Sequence, residues 1–243
     1  MKSDHARKSN LKKVNQPASV CVAQTNPCVA VQAENEYGIS ALVRDAASKS
    51  PNRLTNFQND RDILVWCAAM TLKSPCGSAL LQAVMHKGWS VDLDDLCGGG
   101  FHLNTETKNC TVDHHTLSPV ALSNSVYFRH AVLLGYVRAL RDIWHEENLG
   151  EVENIHSPDD LVMLERFRSA DGDCVAIHVG WELRGAGYGD VWRYILGSEE
   201  SDIAQAYSRD LERNPSRHFS GGAMAAAFRQ WHADVTRVNA SDH

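Results

Sequence analysis

His130 stands early in "NSVYFRHAVLLGYVRALRDIWHE", residues 124–146, where the apolar spacing predicts a long helix. A helical zinc site needs two histidines four apart, so that both reach one ion. A glutamate beside the first then takes a proton from water. Here Val126 lies four positions before His130 and Leu134 four after, while Tyr127 stands where the base belongs. The His-Glu-x-x-His pattern is absent. A single histidine on such a helix reads first as a core residue whose ring nitrogen finds a hydrogen-bond partner. His145 and Glu146 repeat the first two letters of the pattern, but Leu149 fills the place of its second histidine.

Two further zones carry candidate ligands. Asp113, His114 and His115 follow one another at the exit of an expected hairpin. Neighbouring residues on extended chain point to opposite sides, so His114 and His115 are poorly placed to share one ion, and a solvated loop is the plainer reading. The second zone is "LERFRSADGDCVAIHVGWELRGAG", residues 164–187. Glu165 and Asp171 are six apart and off a common face. Phe167, four before Asp171, cannot ligate. His178 falls seven after Asp171 on roughly the same face, but no spacing rule makes it a ligand. The plainer reading is an amphipathic helix with Leu164, Phe167, Cys174, Ile177 and Trp181 turned inward and Arg166 and Arg168 pairing with acids.

The elements that would position these residues follow from capping and periodicity. "DRDILVWCAAMTLK" predicts a helix ended by Ser74-Pro75, and "GSALLQAVMHKG" a second stopped at Gly88. "WSVDL" alternates like a short strand, and "FHLNTETKNCTVD" reads as a hairpin with arms Phe101–Leu103 and Cys110–Val112. The chain after Pro119 reads as helical: one helix over about Ser123–Glu147, one opened by "SPDD" with Ser157 as cap, then "DVWRYIL", "SEESDIAQAYSRDLER" and "GGAMAAAFRQWHADVTR". The fold class is α+β, mostly helical, with a small sheet before the His130 helix. Residues 1–58 read as a mobile arm with one short helix near 36–49, and residues 59–243 as a single domain.

Composition excludes several classes. Twenty-four Lys and Arg against 30 Asp and Glu give a net charge of -6, which argues against nucleic acid as a partner. Positive charge gathers only at Lys2, Arg7, Lys8, Lys12 and Lys13, facing Asp4. Seven cysteines with no C-x-x-C pair fit neither a disulfide framework nor a zinc ribbon. No run is apolar enough to span a membrane and no signal peptide is evident, so a cytoplasmic location is the default.

Taken in order, helix, strand, "GGGFHLN…NCTVD" hairpin, "FRHA" helix, "RSADGDCVAIHVGWELRGAG" and "AMAAAFRQW" resemble an uncharacterised bacterial family of metallopeptidase domains of zincin-like type, over roughly residues 60–240. The resemblance implies a zinc helix ending in Arg129-His130 and an acid ligand near Ala170-Asp171. Against that pattern, Val126 and Tyr127 replace a ligand and the base, which implies a zinc motif that has degraded. Three readings follow. The domain has lost its zinc chemistry and binds or scaffolds, with no firmly implied cofactor. Or it is an active zinc hydrolase whose ligands come from elsewhere, such as His130 with His114 or His115 and Asp171. Or it is a helical interaction module for a peptide or protein partner, contacted through the basic arm.

Overall fold

The computed structural model describes residues 35–98, 100–149 and 157–240. The arm expected over residues 1–58 lies outside the described residues as far as residue 34. The rest of that segment is packed. Helix α1 (Ile39–Ala47) buries Ile39, Leu42 and Ala46, and Phe57 is fully buried beyond it.

Helix α2 (Asp60–Thr71) starts where the Asn59 side chain accepts the Asp62 N–H at 3.0 Å. Asp60 and Asp62 lie in its first turn, where the helix dipole favours negative charge. Its run Ile63–Thr71 is buried on all sides. Helix α3 (Pro75–Val84) starts two residues before the expected "GSALLQAVMHKG": Ser74-Pro75 not only follows α2 but opens α3, the Ser74 hydroxyl accepting the Gly77 N–H at 2.9 Å.

Strands β1 (Ser90–Asp94), β2 (Phe101–Asn104) and β3 (Asn109–Asp113) form one sheet in the order β1-β3-β2. The expected hairpin is the antiparallel β2–β3 pair, with Leu103 opposite Cys110. β1 adds to β3 in parallel, Val91 opposite Cys110. Asp113 is fully buried at the end of β3 and clamps the preceding loop, accepting the N–H groups of Gly98 and His115, each at 2.7 Å. Burial pushes its carboxyl up, but the backbone N–H donors outweigh that and hold it below the usual range.

The helix expected over about Ser123–Glu147 is present from Val126, and a separate short helix precedes it. Helix α4 (Pro119–Asn124) ends at Ser125, which is extended and caps helix α5 (Val126–Leu149) by accepting the Phe128 N–H at 3.3 Å. A serine that can bond its own downstream backbone favours such a break.

Helix α6 (Pro158–Gly185) opens with Ser157 accepting the Asp160 N–H at 3.2 Å. It closes in a Schellman motif: Tyr188 N–H reaches Leu183 O at 2.9 Å, Gly187 N–H reaches Arg184 O at 3.2 Å, and Gly187 has φ of 94°. Only a residue free of a Cβ takes that φ without cost, so Gly187 of "GAGYG" sets the turn. Helix α7 (Gly189–Leu196) folds back onto α6 at Gly180, where an added Cβ would lie 2.3 Å from the Ile195 Cδ1.

Helix α8 (Ser201–Arg213), a 3₁₀ turn at Pro215–His218, helix α9 (Gly222–Trp231) and helix α10 (Val235–Ala240) complete the described chain. The fold is α+β, mostly helical, with this small sheet. Cys174 and Ile177 of α6 are buried as expected, but Phe167 is 51% exposed and meets Phe228 of α9 at the surface. The α5–α6 seam is charged. Arg138 bonds Asp173 at 2.6 Å and also pairs with Glu200, Arg141 bonds Asp171 at 2.5 Å, and Arg168 pairs with Asp142 at 2.6 Å.

Candidate metal centre

The four candidate ligands of the sequence occupy different surroundings. His130 is 5% exposed, stacked on Trp66 with ring centroids 6.4 Å apart and edged by Tyr194 at 6.1 Å. Burial, with the Arg129 charge beside it, pushes the His130 ring down to about 4. The ring is neutral in both folded and unfolded chain above pH 6.5. As pH falls from there toward about 4, the unfolded chain binds a proton that the folded chain refuses, so stability is lost. His130→Leu should remove this acid-side loss, read as the difference in urea midpoint between pH 7 and pH 4.5. An identical difference in both proteins would contradict the buried neutral ring.

Asp171 is committed to the helix seam: its Oδ2 accepts Arg141 Nε at 2.5 Å and His145 Nε2 at 2.9 Å. Burial raises its carboxyl, and His145 and Arg141 outweigh that and lower it. His114 holds a buried Nδ1 with no hydrogen-bond partner. His115 has φ of 57° and places Nδ1 3.7 Å from Asp113.

Among the described residues, His178, Glu182 and His218 form the group of three whose ligand atoms could share one ion, and none of the four candidates belongs to it. His178 and Glu182 are four apart on α6, so both side chains leave the same face. His218 comes from the 3₁₀ turn. Asn214 initiates that turn, its side chain accepting the Ser216 N–H at 3.1 Å, and Pro215 follows. Arg217 then ties the turn to α8 through Asp210, Nε to Oδ2 at 2.5 Å.

The two oxygens of Glu182 have separate tasks. Oε2 accepts the Ser74 hydroxyl at 2.5 Å and the Cys76 N–H at 2.9 Å, at the N-terminal end of α3. Oε1 faces the histidines, 3.4 Å from His178 Nε2 and 3.6 Å from His218 Nε2. Burial raises the carboxyl, but the His178 ring, the Ser74 hydroxyl and the Cys76 N–H outweigh it and bring Glu182 down to about 2. It is therefore a carboxylate at any physiological pH. Ser74 does double service, accepting from the α3 backbone while donating to Glu182.

Behind the rings, the Tyr207 hydroxyl lies 2.6 Å from His178 Nδ1 and 3.2 Å from His218 Nδ1. The two imidazoles stack with centroids 4.9 Å apart and planes 25° apart. Burial, with Glu182 and Cys76 nearby, pushes the Tyr207 phenol up, so it keeps its hydrogen. Burial pushes Cys76 up to about 11, so its thiol is protonated at neutral pH.

The fit of this group to a metal rests on distance. The Oε1–Nε2 separations exceed the usual 2.7–3.2 Å of N–H···O bonds. Zinc bonds of about 2.0–2.1 Å at tetrahedral angles put neighbouring ligand atoms about 3.3–3.4 Å apart. The side chains of His178, Glu182 and His218 are 14%, 9% and 22% exposed, so one side of the group reaches solvent. A cavity of about 370 Å³ opens beside His218, walled by Trp181, Leu211, Pro215 and Phe219. A larger one, about 600 Å³, lies elsewhere along α5 and α6. Arg138 and Arg168 in its wall are already paired with acids.

Residues 127–241 match the sequence model of the family described as "Putative metallopeptidase family (DUF6782)". Over that segment the chain is similar to a metallopeptidase-like domain. The matched segment runs from the first turn of α5 into the C-terminal end and contains His178, Tyr207, Glu182 and His218. It leaves out Ser74 and Cys76, which hold Glu182 from α3. A search of curated proteins gave no match, and a search of solved structures gave none.

Proposed function

We propose that this metallopeptidase-like domain is a zinc-dependent peptide hydrolase with non-standard ligands, in which His178, Glu182 and His218 hold the metal. The observation that carries the reading is the approach of two Nε2 atoms to one carboxylate oxygen at 3.4 and 3.6 Å, longer than usual hydrogen bonds and near the edge of a tetrahedral zinc site. Two histidines and one glutamate form a ligand set that catalytic zinc sites use, leaving a fourth position for substrate or water. A bound zinc ion supplies Lewis-acid polarisation of a carbonyl and lowers the pKa of water. The chain's own part is to fix the three ligands. α6 supplies two on one face, the Ser74–Cys76 clamp turns one oxygen of Glu182 toward them, and Tyr207 braces both rings. The helix bearing His130 takes no part in this reading.

Zinc-loaded protein, purified without a His-tag, should cleave an unfolded protein substrate such as casein. Chelation should stop the cleavage and added zinc restore it. His178→Ala should lose it, while His130→Ala keeps it. Cleavage that survives His178→Ala would refute the assignment.

A second reading has one observation in its favour. Glu182 is the sole carboxylate of the group, and as a ligand it is not itself free to take a proton from water. On that reading the metal staples α6 to the 3₁₀ turn, and the domain binds rather than cuts. Zinc that raises the melting temperature without cleavage would select it.

A further inference from the structure

A phenol has one hydrogen to give, while its oxygen can accept two. Two imidazole Nδ1 atoms face the Tyr207 oxygen, at 2.6 and 3.2 Å. The hydroxyl can donate to only one of them. At least one ring must therefore carry its hydrogen on Nδ1 and donate it to Tyr207. When that ring is neutral, its Nε2 is bare, and Nε2 is the atom turned toward Glu182 in both rings.

We propose that Tyr207 is a positioning residue that sets the tautomer of His178 and His218, holding at least one with Nε2 free before any metal arrives and both once it has. This rests on the zinc reading for its second half only; the first half concerns the metal-free protein. The hydrogen balance is simple. In the metal-free pair, one ring donates from Nδ1 and the other accepts the Tyr207 hydrogen. When a metal takes both Nε2 atoms, the second ring moves its hydrogen from Nε2 to Nδ1. The Tyr207 hydroxyl turns its own hydrogen aside and accepts from both. No proton is gained or lost in the exchange.

The surroundings suit such a brace. Tyr207 is fully buried on α8, its ring 5.8 Å from that of His178 and 5.9 Å from that of Trp181. The phenol is thus fixed by packing and cannot follow the rings if they rotate. A ligating histidine whose other nitrogen is held has its orientation and tautomer chosen in advance, and loss of such an outer partner costs about 10–100-fold in metal affinity.

The test uses the full chain with ¹⁵N-labelled histidine, read by long-range ¹H–¹⁵N correlation at a pH where the rings are neutral. His178→Gln and His218→Gln assign the signals. Metal-free wild type should show at least one of the two rings in the Nδ1–H form. Tyr207→Phe keeps the buried ring and should return both to the Nε2–H form that free imidazole prefers. Zinc chloride, titrated against a competing chelator, should bind about 10–100-fold more weakly to Tyr207→Phe. Both wild-type rings in the Nε2–H form would overturn the proposal, and so would tautomers and zinc affinity unchanged by Tyr207→Phe. A wild type with the Nδ1–H ring that takes up no zinc would refute the metal centre and leave the tautomer assignment standing.

Discussion

Glu182→Gln should weaken zinc binding by more than the roughly 10–100-fold that loss of an outer partner costs, because it removes the charged ligand itself. The substitution is close to isosteric. Its amide oxygen can still accept from Ser74 and Cys76, as Glu182 Oε2 does at 2.5 and 2.9 Å. The nitrogen would then face His178 and His218 with hydrogens where a lone pair is needed. The fold should survive while the metal site does not. A second readout separates the two effects. Glu182 is held down to about 2 from 4.5, so it contributes stability above about pH 4.5 that is lost as pH falls toward 2. Glu182→Gln should lack that acid-side loss. Competition with a chelator at pH 7 and urea midpoints across the acid range measure both. Zinc affinity within a few-fold of wild type would remove Glu182 from the ligand set.

Arg138→Met should be the most damaging single change away from the metal group, costing about 3–5 kcal/mol of unfolding free energy. Arg138 joins three helices: its guanidinium bonds Asp173 of α6 at 2.6 Å and pairs with Glu200 at the start of α8. The three side chains keep about a fifth of their surface, at 21%, 19% and 21%, which puts the expected loss toward the lower end of that range. Methionine replaces the stem but leaves two part-buried carboxylates facing each other. Asp173 also accepts the Trp231 indole N–H at 2.8 Å, so strain there reaches α9. Burial opposes charge on Arg138, but the two carboxylates outweigh it and raise its pKa, the sign expected of a cation held by acids. Equilibrium urea unfolding checks the figure. A loss under about 1 kcal/mol, the range of exposed pairs, would mean that water already screens this network.

Local chemistry made much of the helical frame legible. Ser74-Pro75, Ser157-Pro158 and the glycines of "GAGYG" fall at real helix ends, because caps and positive φ are decided within a few residues. The hairpin was readable for the same reason. The parallel pairing of β1 with β3 was not, since nothing near Ser90 encodes a partner that lies nineteen residues away. The exposure of Phe167 was equally hidden, because helical spacing gives a face and not what covers it.

The metal group shows a sharper limit. His178 and Glu182 stand four apart in a stretch already singled out for its acids, and that spacing alone places both on one face. His178 also lies seven residues after Asp171 on roughly the same face, but Asp171 is engaged by Arg141 and His145 instead. His218 carried no such signal. It sits in "NPSRHF", a turn sequence, and joins the pair only because α8 folds across α6. Ser74 and Tyr207 are likewise brought in by tertiary packing, from α3 and α8. His130 stands where a zinc helix would carry a histidine, yet its ring lies among Trp66, Tyr194 and Arg129.

X-ray absorption at the zinc edge tests the central claim most directly. Protein loaded with one equivalent of zinc should show two imidazole nitrogens and at least one oxygen at about 2.0–2.2 Å, with no sulfur at about 2.3 Å. The imidazole scattering should fall to one ring in His218→Ala and stay at two in His130→Ala. A sulfur shell, or a spectrum unchanged by His218→Ala, would contradict a metal centre built from His178, Glu182 and His218.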